Sequence, residues 1–418
     1  MNCGCDAPLK AGLLDLFDAR ARMIATGAAV AGVERVALAA AAGRVLAEDV
    51  PAARDLPGVD NSAMDGYALC LADLEAGDGV LPVRQRIPAG AGVQRLVEGG
   101  CARIFTGAPV PAGAEAVIPQ ERVTLDAAGR VRFPEAIVPG ANIRRRGEEL
   151  REGDALLAAG IRLTPAAIAQ LASQGLAEVS VRRRPRVALI GTGDELIAPG
   201  EPWTPGAVYD SNGAMLKTLL DQQGVERLDL GVVADDPEAL AAAFARARDE
   251  ADLVLCTGGV SVGEEDHVRP VLERLGGLVF HGVAMKPGKP VALGYLGASP
   301  ATGTPLVGLP GNPVASLVGW QFLALPLLQG LQGRTPPPLQ RFPIVAGFSR
   351  PAPRGRRELL RVTLDWQGAT PVARLAGGQG SHMLSAARQA HGYLIVDPDT
   401  PVEEGHAYGY CPVAQFLD

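Results

Sequence analysis

Three segments carry residue types suited to holding phosphate or another oxyanion. Thr257-Gly258-Gly259-Val260-Ser261-Val262-Gly263-Glu264-Glu265-Asp266 follows the apolar run 253–256. Glycines at such a point let backbone N–H groups approach a phosphate, and the N-terminus of a following helix favours its negative charge. Alone, the segment reads equally well as a tight turn. Gly191-Thr192-Gly193-Asp194-Glu195 and Leu309-Pro310-Gly311-Asn312-Pro313 each follow another strand-like run. In a parallel sheet all three loops meet at one edge, so one nucleotide or phosphate pocket explains them together. Asp194, Glu195, Asp235, Asp236, Glu264, Glu265 and Asp266 lie in or beside these loops. They suffice for Mg²⁺, which takes one or two carboxylates and keeps waters for substrate phosphates. Helix capping or solvent exposure accounts equally for any one of them. Asp266 stands as a natural N-cap before His267, which reads as a surface helix residue.

Cations complete the inventory. In Met285-Lys286-Pro287-Gly288-Lys289-Pro290 two prolines stiffen a short loop and fix the directions of two lysines, point-charge partners for an oxyanion. The alternative is an exposed edge loop kept soluble by lysine. Arg144-Arg145-Arg146 with Glu148-Glu149 is a second charged cluster, whose members can equally pair at the surface. Arg361 and Gly380-Ser381-His382 offer a guanidinium, a hydroxyl and a turn. The stretch 60–68, DNSAMDGYA, has polar residues without strand or helix period, and reads as a rigid loop presenting Asp65 and Asn61. Thr106-Gly107-Ala108-Pro109-Val110-Pro111 follows it.

The elements that must position these residues fall into blocks. The first fifty residues read as helix, with Leu13, Leu14, Phe17, Ala21 and Ile24 at helical spacing and a stop at Gly27. Short runs at 81–87, 102–105, 116–119 and 131–133 alternate with glycine turns and predict a small β domain over 51–147. Helical period returns after Thr164-Pro165 and runs to Ser173, so the β block is inserted between helical pieces at 1–50 and 148–181, an elongated helical domain. Over 182–331, strands at 187–191, 228–233 and 253–256 and near Val279, Val291 and Leu306 alternate with helices at 214–223, capped by Ser211-Asn212, at 237–248 and at 267–275. That alternation predicts a parallel, doubly wound α/β domain. Asn312-Pro313 opens its last helix, and 333–338 is a stiff proline linker. Residues 332–418 alternate strand and turn without helical runs, as in a small β-barrel or sandwich. The expected fold is multi-domain α/β and β.

The chain has 418 residues, too many for one ordinary core, and its 39 basic and 46 acidic residues give no basic field for nonspecific nucleic-acid binding. No stretch reaches about 18 uninterrupted apolar residues, and the closest, 314–331, is broken by Gly319, Gln321, Pro326 and Gln329, so no membrane association is expected. The N-terminus lacks a secretory pattern and the six cysteines are scattered, which suits a reducing cytoplasm. Cys3 and Cys5 receive no role.

Nine motifs, DNSAMDGYA, TGAPVP, IRRRGEE, TGDEL, YDSN, TGGVSVGEEDH, MKPGKP, LPGNPVAS and GGQGSH, stand in the order found in the molybdopterin molybdenumtransferase family, which is similar to the gephyrin E domain. The resemblance covers the chain from about residue 12. It implies an enzyme that binds adenylylated molybdopterin, hydrolyses the phosphoanhydride with release of AMP and inserts molybdate at the dithiolene, with Mg²⁺ required. It also implies a homodimer whose cleft is lined by the α/β domain of one subunit and the inserted β domain of the other. Carried over by motif, Asp65, Glu195, Asp235 and Asp266 are the implicated acids, with Asp235 counted among the substrate contacts. Lys286 joins the catalytic group, and Glu195 and Asp266 are the metal ligands. Thr106, Arg144, Glu149, Pro310, Pro313, Arg361 and Ser381 line the cleft, and Gly258, Gly259, Ser261, Lys289 and Asn312 are further substrate contacts. Transient contact with molybdopterin adenylyltransferase and molybdoenzyme maturation proteins follows from the same resemblance. The family often has a lysine four residues before Lys286, where this chain has Gly282 beside His281. The competing expectations are a molybdopterin adenylyltransferase, which resembles the α/β block alone, and a peptide-binding scaffold. Retention of the acids and of both lysines in MKPGKP favours catalysis. Molybdate and tungstate present the same oxygens, and nothing in the sequence separates them.

Overall fold

The computed structural model describes residues 12–259 and 267–417. The Cys3 and Cys5 pair and the acidic half of the glycine loop, with Ser261, Glu264, Glu265 and Asp266, lie outside the described residues. The chain forms two compact units: one from residues up to Ala47, Gly160–Thr164 and Val179 onward, the other from Glu48–Ala159 and Pro165–Glu178.

The larger unit contains the α/β sheet. Its strands are β1 (Arg186–Thr192), β2 (Glu226–Val233), β3 (Leu253–Thr257), β4 (Gly276–His281), β5 (Ala292–Leu296) and β6 (Thr304–Leu309), in the order β2-β1-β3-β6-β5-β4. β2, β1, β3 and β6 are parallel, and their carboxyl ends share one edge. β5 and β4 run antiparallel to what precedes them, which corrects the all-parallel expectation. Apolar residues cover both faces. Val187, Leu189, Leu253 and Leu255 join the cluster containing Phe322 and Leu327, whereas Ala188, Ile190, Val254 and Cys256 pack with Phe244 and Leu272. Opposite faces of the same strands thus serve opposite cores, as period-two alternation requires.

Two helices departed from their sequence reading. Helix Ser211–Gln222 begins three residues before the expected start, and its N-cap is Asp210, which accepts Gly213 N–H at 2.7 Å. Among the described residues of the first fifty, the one α-helix is Leu16–Thr26, with a single 3-10 turn at Leu38–Ala40; Val33–Ala37 is a strand that pairs with the strand ending at Arg182. The run Pro313–Leu331 has mean hydropathy 1.5 and is 94% buried inside the protein, the signature of a core helix. It contains a π turn at Trp320–Ala324. Pro326 has no N–H to offer the Phe322 carbonyl four residues back, and Arg20 Nη1 donates to that carbonyl instead, at 3.0 Å.

The C-terminal part of this unit is a closed five-stranded barrel of β7 (Phe342–Ala346), β8 (Arg357–Gln367), β9 (Thr370–Leu375), β10 (Gly392–Val396) and β11 (Ala407–Pro412). The order β8-β9-β7-β11-β10 closes through β8 and β10. Ile344, Leu360, Val362, Leu394 and Val396 fill its interior. Contrary to expectation, a short helix, Leu384–Gln389, interrupts it. The two-residue strand Met285–Lys286 adds to β8 in parallel.

The smaller unit is built on the sheet Val83–Ile87, Cys101–Ile104, Gly66–Leu69 and Ala116–Pro119, in that order, with Gly66–Leu69 buried throughout. Asn61–Ser62 pairs with Ile143–Arg144, and helix Pro165–Ser173 spans the residues expected.

Candidate active site

At the carboxyl edge of the sheet, the loops after β1, β3 and β6 lie against one another. Gly258 N–H donates to Leu309 O at 3.2 Å, Thr192 Oγ1 to Thr257 O at 3.3 Å, and Asn212 Nδ2 to Gly311 O at 2.8 Å. Gly258 and Gly259 have φ of 87° and 58°. A Cβ on Gly259 would lie 2.8 Å from Val268 Cγ2, and one on Gly258 would overlap the Thr192 carbonyl. Only glycine fits there, so backbone rather than side chain faces the loop's interior. Pro310 is buried, Asn312 is exposed and Pro313 starts the helix. The sequence-expected loop convergence is therefore present for Gly258, Gly259, Pro310, Asn312 and Pro313.

The acids divide by task. Asp194 and Asp235 cap each other's loops: Asp194 N–H donates to Asp235 Oδ2 at 3.3 Å and Asp235 N–H to Asp194 Oδ1 at 3.1 Å. Asp236 is the N-cap of helix Pro237–Glu250. Glu195 is exposed and its carboxylate folds over Gly193, without a hydrogen bond or ion pair to the described residues. No group of three or more His, Cys, Asp or Glu converges among the described residues. A protein cage for a metal is thus absent there, while a single free carboxylate beside a phosphate-type loop fits Mg²⁺ held largely by substrate oxygens and water. Cys256, at the end of β3, is inert toward nucleophilic chemistry because burial pushes its thiol up to about 12.

The barrel brings its own residues to the same edge. Ser381 O accepts the N–H of Val314, in the first turn of helix Pro313–Gly319, at 2.9 Å. Arg361 on β8 is fully buried, and Nη2 donates to Gly378 O and Gly380 O at 3.1 and 3.2 Å, fixing the turn that carries Ser381. Gln379 bridges the same turn to the Arg361 backbone, accepting its N–H at 2.9 Å and donating to its carbonyl at 3.1 Å. Arg361 Nε and Nη1 are buried without partners, spare donors of the kind an oxyanion satisfies. Burial pushes the Arg361 guanidinium below its ordinary value. Lys286 Nζ lies 3.4 Å from Glu358 Oε1. Lys289 is exposed, and its carbonyl accepts Val283 N–H at 2.8 Å.

In the smaller unit Asp65 accepts both the N–H of Thr106 at 2.7 Å and its hydroxyl at 2.8 Å. These two bonds, the backbone one first, hold its carboxyl below the usual range. Arg144 sits opposite Asn61 in register, and Asn61 Oδ1 is buried without a partner. The charged cluster proves selective. Arg145 Nη1 pairs with Asp60 at 2.7 Å, Arg146 N–H donates to Asp60 at 2.8 Å, and the Arg146 guanidinium pairs with Asp55 at 2.5 Å. Arg144 and Glu149 are exposed and make no side-chain hydrogen bond or ion pair with the described residues, which leaves them available to a ligand. Arg350 and Glu358 form an ion pair, Nη2 to Oε1 at 3.0 Å, without either having stood out in the sequence. Of these, Glu358 alone left a signal, as a single acid opening the otherwise apolar-rich run 358–362.

Three family models match the chain: the MoeA N-terminal region, domains I and II, over residues 14–175; the probable molybdopterin binding domain over 188–330; and the MoeA C-terminal region, domain IV, over 343–408. A molybdopterin molybdenumtransferase of Haemophilus influenzae is 38% identical over 393 residues, covering 93% of this chain and 95% of its own. Molybdopterin molybdenumtransferase 2 of Mycobacterium tuberculosis is 37% identical over 375 residues, covering 87% and 91%. A solved molybdopterin biosynthesis MoeA protein from Pyrococcus horikoshii superposes with a TM-score of 0.78 at 27% identity, covering 96% of this chain and 100% of its own.

Proposed function

The chain belongs to the molybdopterin molybdenumtransferase (MoeA) family, and from that premise we propose that it inserts molybdate into adenylylated molybdopterin, with hydrolysis of the phosphoanhydride and release of AMP. Its place as a transferase of molybdenum cofactor biosynthesis rests on the named relatives. The observation that carries the finer reading is the meeting, at one sheet edge, of the glycine-bearing loops and the Ser381 turn organised by Arg361. The first offers backbone donors for phosphate; the second offers a hydroxyl and spare guanidinium donors for a tetrahedral dianion.

In this mechanism the loop at Gly258 and Gly259 and the Pro310–Pro313 turn position the phosphates, with Asp194 and Asp235 holding the flanking loops in place. Glu195 and Asp266 would hold Mg²⁺, which when bound would offset charge on the phosphate oxygens. Water attacks the phosphorus on the molybdopterin side and gives up a proton to solvent, the anhydride P–O bond breaks, and AMP leaves with the electron pair of that bond. Asp65 enters from the partner subunit of a homodimer, hydrogen-bonded to Thr106, with Arg144 and Glu149 supplied by the same unit, and the bonds from Thr106 favour its anionic form. Lys286, Lys289, Arg361 and Ser381 receive molybdate. Asp65→Asn is expected to abolish cofactor formation while AMP still binds. Wild-type turnover in that variant would remove Asp65 from the mechanism.

A further inference from the structure

We propose that Glu358 is an internal counter-anion of the oxyanion site, occupying Lys286 until a tetrahedral dianion takes its place and thereby setting how tightly that dianion binds. The inference rests on the reading of Lys286 as an oxyanion-binding lysine. Parallel pairing sets Lys286 against Glu358, and Nζ lies 3.4 Å from Oε1. Arg350 grips the same carboxylate from another direction, with Nη2 3.0 Å from Oε1 and Nε 3.3 Å from Oε2.

The two partners of this carboxylate are not equivalent. Glu358's side chain is 5% exposed and Lys286's is 38%. A buried carboxylate needs cationic contact to stay charged, and the two-point contact of Arg350 supplies it without the lysine. Glu358 is therefore pinned by its strand and by Arg350, while Lys286, on a flexible four-carbon stem, is the partner that can leave. An oxyanion arriving at the exposed lysine meets Glu358 in two ways. It must replace an existing ion pair, and its own charge is repelled by the carboxylate behind that pair. Both effects weaken binding, and the second grows with the charge of the anion. The acid thus keeps a strongly cationic pocket from retaining sulfate, phosphate or the substrate oxyanion too firmly.

Glu358→Gln preserves shape and both cations, and removes only the charge. Calorimetry with sulfate, a probe that needs no cofactor chemistry, is expected to give about fivefold tighter binding than wild type, and the KM for molybdate is expected to fall in parallel. Lost packing moves both quantities the other way, so sulfate binding that is unchanged or weaker in a cooperatively melting variant overturns the proposal. Wild-type crystals soaked in molybdate provide a second measurement that does not depend on the variant folding. Lys286 Nζ is expected to swing from Glu358 to the anion, and an intact Lys286–Glu358 pair beside bound molybdate overturns the proposal. Lys286→Gln separates the two levels. Undiminished oxyanion binding in that variant removes the lysine reading itself, whereas loss of binding there with no change in Glu358→Gln removes only the role of Glu358.

Discussion

Asp65 shows how a few ångströms of local geometry set the state of an acid. Its carboxylate accepts first from the Thr106 backbone and second from the Thr106 hydroxyl, and both favour the ionised form. A depressed folded value means that the associated stability is fully present above the ordinary carboxylate range and is lost as pH falls through the depressed value. In the proposed mechanism the same shift holds Asp65 anionic to lower pH. Thr106→Val deletes the hydroxyl and keeps the N–H, so the acid limb of the pH–rate profile is expected to move to higher pH with no change in the alkaline limb. An acid limb that stays in place would show that Asp65 ionisation does not govern the rate. The charged cluster nearby teaches a complementary point: sequence places three arginines together, but only structure reveals that Asp55 and Asp60 engage two of them and leave Arg144 open.

Among the elements, the glycine turn after β3 is the least tolerant of change. Gly258→Ala forces a side chain into a left-handed conformation and against the Thr192 carbonyl, and is expected to cost about 1–3 kcal/mol, measured as a lower melting midpoint, with a larger proportional loss of phosphate affinity. Affinity equal to wild type would mean that the turn does not shape the phosphate site. Much of this edge was legible in the sequence because glycine, proline and capping residues punctuate it at fixed offsets; helix Pro165–Ser173 and strands β1, β3 and β6 fall where periodicity put them. The antiparallel pair β4 and β5 is encoded in the lengths of its connections. Connections 282–291 and 297–303 are shorter than the dozen or so residues a parallel crossover needs. Val33–Ala37 was harder, since its exposed and half-buried residues alternate too weakly to override the alanine-rich helical texture around it. Pairing with a strand far along the chain decides its state, and no local window contains that information.

For the whole molecule, the decisive prediction concerns the shared cleft. If Asp65 serves a site whose Lys286 belongs to the other subunit, neither Asp65→Asn nor Lys286→Gln homodimers are active, yet a mixed dimer contains one intact site. Refolding the two variants together is expected to restore about a quarter of wild-type turnover, because half of randomly formed dimers are mixed and one of their two sites is whole. Absence of any recovery, in mixtures shown by mass to contain mixed dimers, would place both residues in sites formed by a single chain.

The order in which the larger unit is assembled along the chain has a consequence in the cell. Leu16, Ala19 and Met23 of the first helix share a core with Phe322, Leu327 and Leu328, which are among the last residues of the α/β part to be translated. On the ribosome the smaller unit has all its residues once Glu178 emerges, whereas the apolar face of the opening helix stays uncovered until the helix ending at Leu331 appears. Until then that apolar face has no core to enter, and slow elongation before Pro313 lengthens the interval over which it stays in water.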